Sequence, residues 1–138
     1  MRSIYKTLLK LKEQEKRERH LQFAEAEAKR QRQEESLTLM KDDLFQEQQK
    51  MPDTIGMLTL KEQTTMQRYF DIEDAKQELQ KQSTRVERLR HRMKEAQIEC
   101  KVMEKVIESI HNAEQKEIDR KLDIINDEIA VQGWRRRQ

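Results

Sequence analysis

The sequence predicts an all-α fold: a two-helix antiparallel coiled-coil hairpin whose longer second helix overhangs at its carboxy-terminal end. Three observations carry this expectation. An apolar repeat runs unbroken through residues 72–110. The sole proline, Pro52, stands close to Gly56, one of only two glycines. The stretches on either side of that point differ in length, so one must outrun the other.

Composition agrees with long helices rather than a globule. Ala, Glu, Lys, Leu and Arg make up 67 of the 138 residues, about the half that marks coiled coils. Charged residues reach 41% and aromatics only 4%, too few large side chains for a thick core. Leu, Ile, Val and Phe total 29, near the level at which chains stay disordered. The net charge of +2, from 29 basic and 27 acidic residues interspersed, means that self-repulsion does not oppose folding. The same balance argues against a nucleic-acid partner, which calls for a basic excess on one face.

The first arm, about residues 3–51, has neither Gly nor Pro, and Ser3 is its expected N-cap. Ile4, Leu8 and Leu11 open its seam. Residues 12–20 carry no apolar side chain, and the pattern then returns slipped by one position as Phe23, Ala26, Arg30, Gln33, Leu37, Met40, Leu44, Glu47 and Met51. A slip of this kind changes supercoil pitch without ending a helix. Over the polar stretch, helix propensity and i,i+4 ion pairs of about 0.2–0.5 kcal/mol each must suffice.

Residues 52–57 are the expected turn. Pro52 lacks a backbone donor and clashes with the preceding helical turn. Gly56 is free to adopt a left-handed conformation, and Asp53 or Thr54 is placed to cap the second arm. A helix, a short turn and a second helix make an αα-hairpin.

The second arm, about residues 58–132, holds the strongest signal. Ile72, Ala75, Leu79, Gln82, Val86, Leu89, Met93, Ala96, Cys100, Met103, Ile107 and Ile110 succeed one another in alternating steps of four and three, and only Gln82 is polar. Such a repeat, slightly shorter than the helical period, stays on its partner only if two helices supercoil left-handed. The stretch is a rod about 57 Å long, and a rod with a stripe needs a partner helix. Folding about residues 53–54 brings Met1 near Ile107, so residues beyond about 110 find nothing in their own chain. The stripe nevertheless continues as Ile118, Leu122, Ile125 and Ile129, with Ile124 and Val131 beside it. An exposed isoleucine stripe is expected to bind a partner. Gly133 is the expected stop, and residues 133–138 form a tail. The whole reads as one domain.

No catalytic arrangement emerges, and the sequence calls for no cofactor or metal. His20, His91 and His111 are scattered among charged residues, and Cys100 falls on the seam, where a thiol packs as a small apolar group. One cysteine permits no intrachain disulfide and fits a reducing compartment. The amino-terminal residues lack a signal-peptide core, and no apolar run spans a membrane, so a cytosolic protein without membrane insertion is expected. Tyr69-Phe70 places two of the five Phe and Tyr residues side by side. Adjacent helical residues cannot share one seam, so one is expected to be exposed, and aromatics are enriched where partners bind. The alternative is that Tyr69 closes the hairpin core and Phe70 covers the turn.

These residues resemble a known family. Tyr69, the run Val86-Glu87-Arg88-Leu89, then Ala96 and Lys101-Val102-Met103-Glu104-Lys105 are similar to the flagellar export protein FliJ. So are Glu114-Gln115-Lys116-Glu117-Ile118-Asp119 and Asp127-Glu128-Ile129-Ala130. The chain departs from the family pattern in having Arg120 in place of an acid, and in the wider spacing before Asp127.

The resemblance implies a non-enzymatic coiled coil, similar to the central stalk of rotary ATPases, in the flagellar type III export apparatus. It implies binding to the hexameric export ATPase, contact with the export gate protein, and handling of export chaperones with their substrates. Its place would be the cytoplasmic side of the inner membrane. On that basis Ile118, Leu122, Ile125 and Ile129 are assigned to the ATPase, and Tyr69 and Phe70 to the gate. Two rivals remain from the residues, a homo-oligomeric scaffold and a general secretion chaperone with an apolar tip at Met57, Leu58 and Leu60, and the resemblance leaves an injectisome stalk as a third.

Overall fold

The computed structural model describes residues 2–137. Over them the chain forms two α-helices, α1 (Arg2–Gln49, 48 residues) and α2 (Ile55–Arg137, 83 residues). The fold is an all-α two-helix hairpin with the second helix longer, as the repeat and the proline foretold, and it has no strand among the described residues.

Residues 50–54 make the connection. The Lys50 N–H donates to the Glu47 carbonyl (3.2 Å), closing the last turn of α1, and Pro52 then blocks its continuation. Thr54 caps α2: its hydroxyl accepts from the Met57 N–H (3.1 Å) and its carbonyl from the Leu58 N–H (3.0 Å). Lys61 reaches back from α2 and donates to the carbonyls of Gln48 (3.3 Å) and Lys50. The end of a helix leaves its last carbonyls without N–H donors, and a cation there also meets the negative end of the dipole.

Three expectations about helix ends are corrected. Gly56 lies in the first turn of α2, and no described residue has a positive φ, glycines included. The chain is already helical at Ile55 because Thr54 is the cap, so no left-handed residue is needed. Gly133 does not stop α2, which continues to Arg137. A glycine costs about 1 kcal/mol in a helix, and Arg135, Arg136 and Arg137 favour the carbonyl end beyond it. Ser3 sits within α1, its carbonyl accepting from the Thr7 hydroxyl (2.9 Å), rather than before it.

All twelve seam positions of α2 from Ile72 to Ile110 are buried or half-buried. The α1 seam differs from expectation at both ends. Tyr5, Leu9, Lys12, Lys16, Arg19, Phe23, Ala26, Arg30, Gln33, Leu37, Met40, Leu44 and Glu47 are all covered and succeed one another with no slip, and Glu13, Glu15 and Glu27 beside them are half-buried too. Ile4, Leu8 and Leu11 are instead exposed, as is Met51 in the turn. An uninterrupted alternation of fours and threes keeps one face on the partner, and long cationic side chains sustain it by laying their methylene stems along the seam.

The chain divides into two compact units, one of residues 17–95 and one combining the residues up to 16 with those from 96 on. In the first, Leu37, Leu44 and Ile72 form a buried cluster with Met40, Ala75 and Leu79 against it. A second cluster joins Ala26, Val86 and Leu89 with Phe23, whose ring lies under the Arg90 guanidinium, 5.4 Å from the centroid. The buried Gln82 amide donates to the Ala26 carbonyl (3.0 Å). In the other unit Ala96 and Cys100 are buried, and Lys12 bonds Glu99 across the helices (2.9 Å). The expected neighbour of Ile107, Met1, lies outside the described residues.

Candidate partner-binding surfaces

Helix α2 carries the first surface beyond the seam. Every described residue from 111 to 137 is exposed. Ile118, Leu122, Ile125 and Ile129 show half or more of their surface, from 50% to 62%. Steps of four, three and four hold them on one side of the helix. Local pairs support the segment: Arg120 grips Glu117 through two hydrogen bonds (2.7 and 3.2 Å), and the Gln115 amide donates to Asp119 (3.2 Å). The hydrogen bonds from Arg120 hold the Glu117 carboxyl below its ordinary range. A second apolar strip, Ile124 and Val131, lies away from the first and lines a shallow groove with Asp127, Glu128, Gln132 and Arg135.

The second surface lies beside the turn. Neither Tyr69 nor Phe70 faces the seam; both are exposed, at 53% and 61%. The expectation that Tyr69 closes the core fails because half-buried Lys61, Thr65 and Arg68 hold the seam before Ile72. The Tyr69 hydroxyl instead accepts from the Gln48 amide of α1 (3.0 Å), and Arg68 meets Glu47 beside it (3.6 Å). Leu58, Glu62, Met66, Tyr69 and Phe70 line one open groove with Gln48, Lys61 and Thr65. Met66 was missed by reading aromatic residues alone. Its signal was the four-residue spacing of positions 58, 62, 66 and 70, which forms one ridge of a helix. Pro52 lies in the turn, and Gly56 within α2 beside it.

Cys100, 1% exposed, donates its S–H to Glu104 (3.9 Å). With Glu13 it forms a thiol–carboxylate group whose donor atoms lie within 4.8 Å of one another, closed on the thiol side by helix packing. His91 pairs with Glu95 one turn on (2.9 Å). No helix among the described residues is long and apolar enough to cross a membrane.

Two helices joined by a capped turn, with apolar residues exposed beside the turn and along the far part of α2, define a coiled-coil hairpin protein. The chain matches the family described as flagellar FliJ protein over residues 2–138, essentially its full length, and belongs to that family. It is thus a component of flagellar type III protein export, from a family of non-catalytic members. No curated protein and no solved structure matches it.

Proposed function

We propose that the chain acts as a single stalk-like hairpin domain of the export apparatus, binding the hexameric export ATPase through Ile118, Leu122, Ile125 and Ile129. The observation that carries this reading is that the apolar stripe of α2 continues as Ile118, Leu122, Ile125 and Ile129, all exposed, in a stretch where no described residue is buried. A lone helix with an apolar side is suited to a groove or pore lined by other subunits. The turn region, with Tyr69 and Phe70, contacts the export gate protein, so that one chain links ATPase and gate. Chaperone–substrate complexes are received on the same assembly, at the cytoplasmic side of the inner membrane. Neither a cofactor nor nucleic acid has a part in this reading.

The test replaces Ile125 and Ile129 together by Asp and asks whether the purified export ATPase still co-purifies. Loss of ATPase capture with unchanged helicity by circular dichroism supports the assignment, and undiminished capture rejects it. Tyr69→Ala with Phe70→Ala should lose the gate protein while keeping the ATPase.

A further inference from the structure

The charges flanking the exposed stripe match those of the same stripe run in the opposite direction. Extending the spacing of Ile118, Leu122, Ile125 and Ile129 adds Gln115 before them and Gln132 after. Pair two copies antiparallel about an axis between Asp123 and Ile124. Ile118 then meets Ile129 of the second copy, Leu122 meets Ile125, and Gln115 meets Gln132. Every layer appears twice, as two-fold symmetry requires.

The positions that border an antiparallel seam are then decided by charge. On one border Lys121 stands opposite Glu128 of the second copy and Glu114 opposite Arg135, each twice; on the other Asp119 stands opposite Asn126. A parallel pair would instead set Glu114 beside Asp119 and Lys121 beside Asn126, one repulsion and no attraction. Border charges choose partner and direction in coiled coils. The seam is bounded where His111 would meet Arg136.

We infer that two copies of this chain associate antiparallel through residues 115–132 of α2, with Lys121 and Glu128 setting the direction. The stripe residues, Lys121 and Glu128 are exposed in the single chain, so the contacts that set the direction are open to a second copy. The paired length is short, so the dimer is reversible and concentration-dependent. The inference does not rest on the ATPase reading, although the same face cannot hold both partners at once.

Sedimentation equilibrium of the purified full chain tests it. Wild type is expected to pass from monomer to dimer with concentration. Lys121→Glu and Glu128→Lys should each weaken the dimer tenfold or more, and the two together should restore it, with helicity unchanged throughout. Direction is read in a Cys100→Ala background. A mixture of Gln115→Cys and Gln132→Cys chains should cross-link under mild oxidation, and neither alone should do so. A chain that stays monomeric, a charge exchange that fails to rescue, or cross-linking of either variant by itself would overturn the proposal. Because only this chain is present, none of these outcomes touches the ATPase assignment.

Discussion

The side-chain amide of Gln82, itself buried, donates to the main-chain carbonyl of Ala26 on the opposite helix, 3.0 Å away. It is the one polar side chain among the twelve seam positions of α2, and the bond fixes which residue of α1 it faces. A single polar seam residue specifies register at a cost in stability. Gln82→Leu should therefore leave the melting temperature unchanged or higher while loosening register. Gln82→Ala, which leaves a hole as well, should cost about 1–3 kcal/mol by chemical denaturation.

Gly56 offers a stabilising change. A Cβ there would meet only the Thr54 hydroxyl at 3.9 Å, an ordinary contact, and the backbone is helical. Gly56→Ala should stabilise by about 0.4–1 kcal/mol, chiefly by restricting the unfolded chain. At Gly133 a Cβ meets nothing within 4 Å, so Gly133→Ala should raise helicity of the last turns, seen at 222 nm. A loss of stability at either position would show that the residue is not held in a helical conformation.

Lys61 ties the turn by donating to two carbonyls at the end of α1. Lys61→Met keeps the stem and removes the donors. Amide exchange at residues 50–54 should quicken, and stability should fall by about 1 kcal/mol. Lys61→Arg should recover most of the protection.

Acid should weaken one pairing in a defined direction. Hydrogen bonds from Arg30 (2.7 and 3.0 Å), aided by its charge and that of Arg90, hold the Glu27 carboxyl below its ordinary value of 4.5. A carboxyl lowered by folding stabilises the folded chain above its unfolded value. That contribution fades as pH falls through 4.5 and is gone below the lowered one. Wild type should melt above Glu27→Gln at pH 7, and the gap should close in acid. A gap that persists at pH 2 would show that the pairing is not its source.

The hairpin was legible because Ile72 to Ile110 repeats without a fault and Pro52 can enter no helix interior. The opening of α1 was not. Ile4, Leu8 and Leu11 look like a seam by hydropathy, yet the seam runs through Lys12, Lys16 and Arg19, whose stems are apolar and whose ends are not. Gly56 and Gly133 misled because residue type states what a backbone tolerates, not what it adopts. The Thr54 cap and the carboxy-terminal arginines decided those positions. The isoleucine stripe was found from spacing alone, whereas the groove beside Tyr69 needed the structure to show that polar side chains hold the seam there.

The bareness of residues 111–137 sets how that segment behaves when heated or digested. A fully exposed helix supported by pairs along its own length, such as Arg120 with Glu117, melts gradually, out of step with residues that bury one another. Proteases should trim it first, and slowed trimming would show that a visitor has arrived. The segment is then a built-in gauge of occupancy, readable without a label.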